Sequence, residues 1–149
     1  MPLLREMLKN PKVVGVKNSS MPVQDIQMFK AEGEKVRGKD QFVVFNGPDE
    51  QFISGRLMGA DGGIGGTYSA MPELFVKLDE LWQAGAHDTA RALQYDINEI
   101  IYTLCSGKGN MYAMIKAVLN KREGLNMGGV RAPLVNLCEA DYAIVDKAA

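Results

Sequence analysis

The 149-residue chain contains one histidine and two cysteines, and that scarcity removes several chemistries at once. A single histidine, His87, argues against a histidine-built metal site or a Ser-His triad. Beside Asp88 at a helix start it reads as a surface residue. Cys105 and Cys138 lie far apart and fit neither a zinc spacing nor a disulfide framework, so they read as two buried thiols in a reducing cytosol. No block of lysine and arginine stands out and the formal net charge is -1, which leaves no electrostatic footprint for nucleic acid. No apolar run is long enough to cross a bilayer, and the amino terminus lacks the pattern of a signal peptide. The expected compartment is the cytoplasm, with no membrane partner and no metal. The length suits one domain, 1–149, with a real core.

Along the chain, strands and helices alternate. Leu3 to Leu8 reads as the end of a helix, closed by Asn10-Pro11, and Lys12 to Val16, with β-branched Val13, Val14 and Val16, as a first strand. Val23 to Val36 is an amphipathic helix, and Gln41 to Phe45 a second strand. Asn46-Gly47-Pro48 turns the chain into a short helix, Asp49 to Met58, whose opening carboxylates suit the helix dipole. The stretch GADGGIGGTYSAMPE, Gly59 to Glu73, has the glycine content of a loop. Its core, Gly62 to Gly65, also fits a strand that a backbone or ligand approaches closely. Helices are then expected over Pro72 to Ala84, Thr89 to Cys105, Met111 to Lys121 and Pro133 to Lys147. Three strands alternating with helices imply an α/β fold with a parallel sheet. Three are few for a sheet whose two faces both need cover, so this reads as part of a larger closed sheet.

Ligands of parallel α/β folds gather at the carboxyl ends of the strands. Those ends carry Lys17-Asn18-Ser19, then Asn46-Gly47-Pro48-Asp49-Glu50, then Gly65-Gly66-Thr67-Tyr68. Lys17, just past its strand, either snorkels to water or serves a purpose. A desolvated amine there could condense with a carbonyl. Asp49 and Glu50 are either first-turn helix residues or acceptors for a polyhydroxylated substrate, and the glycines leave room for one. The glycine run also suggests a phosphate loop. It matches neither G-x-x-x-x-G-K-[ST] nor G-x-G-x-x-G.

Two segments, VVGVKNSS and FVVFNGPDEQFISGRLMGADGGIGGTYSAMPE, together resemble the carboxyl-terminal half of the N-acetylneuraminate lyase and dihydrodipicolinate synthase family, with NGPDE and GADGGIGGTY closer to the lyases. The resemblance covers nearly the whole chain. It implies a partial (β/α)8 barrel of strands six to eight over about 12–84, with a helical tail over about 88–149. It also implies class I aldolase chemistry, usually in tetramers, with no cofactor beyond a covalent Schiff base.

By that resemblance Lys17 falls on the lysine that condenses with pyruvate. Ser19 falls where the lyases usually carry a threonine, and Gly47, Asp49 and Glu50 fall on residues that contact the sugar chain. Ile64 falls on the pyruvate pocket and Gly66 on a substrate-binding serine. Tyr112 matches an aromatic residue beside the sugar. Two family motifs, G-[ST]-[ST]-G-E for the pyruvate carboxylate and the Y-x-x-P tyrosine that relays protons, are absent from this sequence. The expectation is a lyase that cleaves a sialic or related sugar acid to pyruvate and an aldehyde, inactive without a complementing amino-terminal half. The alternatives are a non-catalytic half-barrel homo-oligomer and a small-molecule-binding module.

Overall fold

A computed structural model describes residues 1–149. The chain forms two compact units, Met1–Gly65 and Gly66–Ala149.

In the first unit, helix α1 (Pro2–Met7) leads to strand β1 (Gly15–Asn18), helix α2 (Gln24–Arg37) and strand β2 (Val43–Asn46). A 3-10 turn over Asp49–Gln51, helix α3 (Phe52–Leu57) and the two-residue strand β3 (Gly62–Gly63) follow. The strands are parallel in the order β1-β2-β3. Register pairs Lys17 with Phe45 and Asn18 with Asn46, and then Phe45 with Gly62.

Strand side chains alternate between faces. Val16 and Val44 point to the side where Leu4, Leu8, Ile26, Phe42 and Ala60 form the core. Gly33 of α2 lets the helix settle there: a Cβ on it would stand 2.0 Å from Cδ1 of Phe42. The sheet's amino-terminal side is tied to α2 by Lys30, whose Nζ donates to the Phe42 carbonyl at 2.8 Å and to both Asp61 carboxylate oxygens at 2.8 and 2.9 Å. Asp61 Oδ2 also accepts the Val44 amide at 2.7 Å. Arg37 spans back from α2, donating to the carbonyls of Val13, Leu8 and Asn10.

The second unit opens with a 3-10 turn, Thr67–Ser69, and continues through α4 (Pro72–Gln83), α5 (His87–Cys105), α6 (Met111–Glu123) and α7 (Asp141–Ala148). Its core joins Ala70, Leu104, Met114, Ile115, Val118 and Val145. His87 is exposed at the start of α5, its ring 4.7 Å from that of Trp82. Asn110 caps α6, and Gly124 ends it with φ 65°. Asp141 is buried and gathers the amides of Lys108, Gly109 and Cys138 at 2.7, 3.0 and 2.9 Å. No helix is long and apolar enough to cross a membrane.

Several expectations shift. Strand β1 begins at Gly15 rather than Lys12, so Lys17 lies inside the strand and not beyond it. Residues 12–14 are held instead by turn contacts: the Val13 amide bonds the Asn10 carbonyl, and the Lys12 amide bonds the Asn10 side chain. The segment from Asp49 is a 3-10 turn running into a six-residue helix. The last helix starts at Asp141, not Pro133. Before it, Asn136 takes the Val130 amide on its side chain and Val135 gives its carbonyl to Asn110, which spends groups a helix would need. Both cysteines are exposed, against the expected burial, because Cys105 ends α5 and Cys138 lies in the irregular approach to α7.

Candidate active site

The amine of interest rises from the middle of β1. Alternation puts Val16 on the core side and Lys17 on the opposite face, where it is exposed. Val43, Phe45 and Gly62 share that second face and are half-buried. Helices α1, α2 and α3 all pack on the other side, through Leu4, Ile26 and the contact of Gly55 with Asn46. Within this unit, then, Lys17 stands on the uncovered face of a parallel sheet. The desolvation foreseen for it is not supplied by the residues around it here.

Past the strands, β1 and β2 are stitched together. The Gly47 amide donates to the Asn18 carbonyl at 2.7 Å. A Cβ on Gly47 would fall 2.5 Å from that carbonyl oxygen and 2.8 Å from Ser19 Oγ, so only glycine lets the Ser19 turn close against it. Asn46 Nδ2 donates to the Pro48 carbonyl at 2.7 Å, and the Asn46 carbonyl accepts the Ile64 amide at 2.9 Å. Ile64 is left about half exposed, at 47%. Asp49 is buried, with its carboxylate laid on Gly65: Oδ1 lies 1.3 Å from where a Cβ would stand. Glu50 follows, half-buried.

The first unit thus brings Ser19 against Gly47 and Asp49 against Gly65, along the carboxyl ends of strands that also carry Lys17 and Ile64. The second unit joins Gly66 to Tyr112. A Cβ on Gly66 would stand 3.2 Å from Tyr112 Cε1, and that exposed ring is set by the Asn110 cap, whose Oδ1 accepts the Tyr112 amide at 3.0 Å.

One expectation changes in kind. The glycines were read as space for a substrate, but at Gly47, Gly65 and Gly66 the space is filled by the protein's own Ser19, Asp49 and Tyr112. Sequence reasoning also passed over Asn18 and Asn46, which are buried register partners. Asn18 Oδ1 accepts both the amide and the hydroxyl of Ser20, at 3.2 and 2.7 Å. The available signal was an asparagine at the same place in each strand, directly before a turn. The carboxyl groups that the fold shifts lie on other elements. Glu32 in α2 and Glu73 in α4 are held below the ordinary range by hydrogen bonds from Arg5 and Arg122, and Asp141 in α7 by backbone amides, led by that of Cys138. No group of three or more histidine, cysteine or carboxylate side chains is arranged to hold a metal ion.

Residues 3–149 match the model of the dihydrodipicolinate synthetase family. The chain belongs to that family. Within it, the chain is 59% identical over 147 residues to N-acetylneuraminate lyase of Mediterraneibacter gnavus, covering 99% of this chain and 45% of that protein. It is 36% identical over 148 residues to N-acetylneuraminate lyase of Rhizobium meliloti, covering 99% and 46%. Among solved structures, a catalytic lysine mutant of Ruminococcus gnavus sialic acid aldolase superposes with a TM-score of 0.93 at 57% identity, over 99% of this chain and 47% of that one. The chain spans about half the length of the curated relatives it matches. Its fold is a partial (β/α)8 barrel, with three parallel strands and their helices followed by a helical tail.

Proposed function

We propose that this chain carries the nucleophile-bearing portion of a class I aldolase of the N-acetylneuraminate lyase type. The observation that carries the reading is Lys17, an exposed amine on the helix-free face of a parallel sheet, in a chain 59% identical to a lyase. The neutral Nζ attacks the C2 ketone of a sialic or related sugar acid, and loss of water gives an iminium on Lys17. The C3–C4 bond then breaks. Its electron pair moves to C3 and is held by the iminium as an enamine, while the C4 hydroxyl gives up its proton and leaves as an aldehyde. Protonation at C3 and addition of water release pyruvate and restore the amine. No cofactor is required, since the iminium is the electron sink.

Ser19 and Gly47 shape the entry beside Lys17, and Ile64 lines the keto-acid pocket. Asp49, fixed against Gly65, and Glu50 orient hydroxyls of the longer portion; by the same resemblance Tyr112, beside Gly66, is the aromatic residue that meets the sugar chain. With glycine at position 66 the substrate loses one hydroxyl contact, which loosens the preference for sialic acid itself. The carboxylate cradle and the proton relay come from a complementing amino-terminal half. Without them the chain is inactive as a lyase, because proton transfer alone is worth roughly a hundred- to ten-thousand-fold. The setting proposed for it is the cytoplasm. The test is borohydride reduction in the presence of pyruvate, with the complementing half supplied. A single adduct on Lys17 by peptide mass spectrometry supports the reading; adducts elsewhere only, or none, refute it.

A second reading is favoured by one observation. β1 and β3 each pair on a single side, leaving two open edges on a three-stranded sheet. In that reading the chain is a non-catalytic homo-oligomer closed through those edges. Light scattering separates the two: a clean monomer at micromolar concentration argues against the oligomer.

A further inference from the structure

Asn46 ends β2 and is almost wholly buried, at 1% exposure. Alternation puts its side chain on the helix-covered face, opposite to Phe45 and Lys17. Two grips start from its amide. Nδ2 donates to the Pro48 carbonyl at 2.7 Å. On its other side α3 comes up against it: a Cβ on Gly55 would fall 2.6 Å from Oδ1 and 2.7 Å from Cγ, so only a bare backbone comes this close. Pro48 and Gly55 bracket the segment that holds Asp49 and Glu50. The Pro48 carbonyl also accepts the Gln51 amide at 3.1 Å, which closes the 3-10 turn carrying both carboxylates. The proline ring fixes φ there, at -68°, but ψ, at 115°, is set by what holds the carbonyl. The Asn46 amide therefore aims the start of that turn. Its Oδ1 is buried and meets no hydrogen-bond donor of the protein. With one bond made and one buried acceptor left unmatched, stability alone gives asparagine little advantage over a leucine of similar size.

We propose that Asn46 is a positioning residue, which acts through the Pro48 carbonyl and Gly55 to hold Asp49 and Glu50 where they meet the longer portion of the sugar acid. The inference rests on the reading of those two carboxylates as contacts of that portion. Neither grip touches Lys17, which rises from the other face of β1. Releasing the amide therefore loosens the hold on the sugar chain and leaves the keto-acid end as it was.

The test compares wild type with Asn46→Leu, using the whole chain together with the amino-terminal half of the 59%-identical relative. Two quantities are measured: kcat and KM for cleavage of N-acetylneuraminate, and the pyruvate concentration that half-saturates borohydride trapping on Lys17. The expected result is a kcat/KM lower by about tenfold, carried mainly by KM, with half-saturating pyruvate changed by less than about twofold. Gly55→Ala, which pushes the amide from the α3 side and keeps a good helix former, shows the same split should the leucine variant fail to fold. In the chain alone, hydrogen exchange of the Gln51 amide quickens in either variant, because the carbonyl that holds it is no longer aimed. Equal losses for sugar acid and pyruvate, no loss for either, or unchanged Gln51 exchange overturn this inference alone. Wild-type trapping of pyruvate on Lys17 without cleavage of N-acetylneuraminate overturns the reading of Asp49 and Glu50 and this inference with it. No wild-type adduct on Lys17 overturns the Schiff-base reading itself.

Discussion

At the scale of single residues, three glycines at the strand ends are explained by what sits against them. Gly65 has the sharpest case, since the Asp49 carboxylate lies where its Cβ would go. Gly65→Ala must expel a buried carboxylate, and overpacking typically costs about 1–3 kcal/mol. The expected outcome is an unfolding free energy in urea lowered by that amount; an unchanged value would show that the carboxylate moves freely. Gly66→Ser tests a gentler contact. A serine Cβ at 3.2 Å from Tyr112 needs only a small shift of an exposed ring, so stability should change by less than about 0.5 kcal/mol. A larger loss would mean the ring is fixed. Lys17 drew notice in the sequence because a lysine in a valine-rich run is conspicuous, and the structure puts it within β1. What occupies the space beside a glycine was not, since that depends on side chains arriving from other strands and turns.

At the scale of elements, the alternation of strand and helix was readable through residue 63, and the long helices α4 and α5 closely so. Two of the shifted boundaries lie where backbone groups are spent outside the expected element. Asn10 holds the residues before β1, and Asn136 with Val135 holds those before α7. Two element-scale predictions follow from such ties. Asp61→Ala leaves Lys30 Nζ, 18% exposed on its side chain, and the Val44 amide without their carboxylate. A loss of about 2 kcal/mol in urea unfolding is expected. A loss below about 0.5 kcal/mol would assign that tie no weight.

Asp141 predicts a pH effect. Its amides keep the folded carboxyl below its ordinary value, so its contribution is fully present above the unfolded pKa of about 3.9 and is lost as pH falls through the lower folded value. The urea midpoint of the wild type should therefore drop on acidification below about pH 4. Asp141→Asn should start lower at neutral pH and fall less steeply over the same range. Parallel curves for the two proteins would remove Asp141 as the cause.

At the scale of the whole molecule, a larger closed sheet was legible because three strands are too few to cover themselves, and the resemblance to a known family made that sheet a partial (β/α)8 barrel. The division into two compact units at Gly65 and Gly66 was not, since the glycine run looks equally like one continuous loop. If the chain is one domain, circular dichroism and tryptophan fluorescence should report a single coincident unfolding transition. Two separated midpoints would assign the units independent stability. The measurement that bears most directly on the account remains the fate of the Lys17 nitrogen. With pyruvate, borohydride and the amino-terminal half of a lyase relative present, the account predicts one reduced pyruvate adduct, carried by Lys17 and abolished in Lys17→Arg. A protein left unmodified at Lys17, or one modified to the same extent at its other exposed lysines, would contradict it.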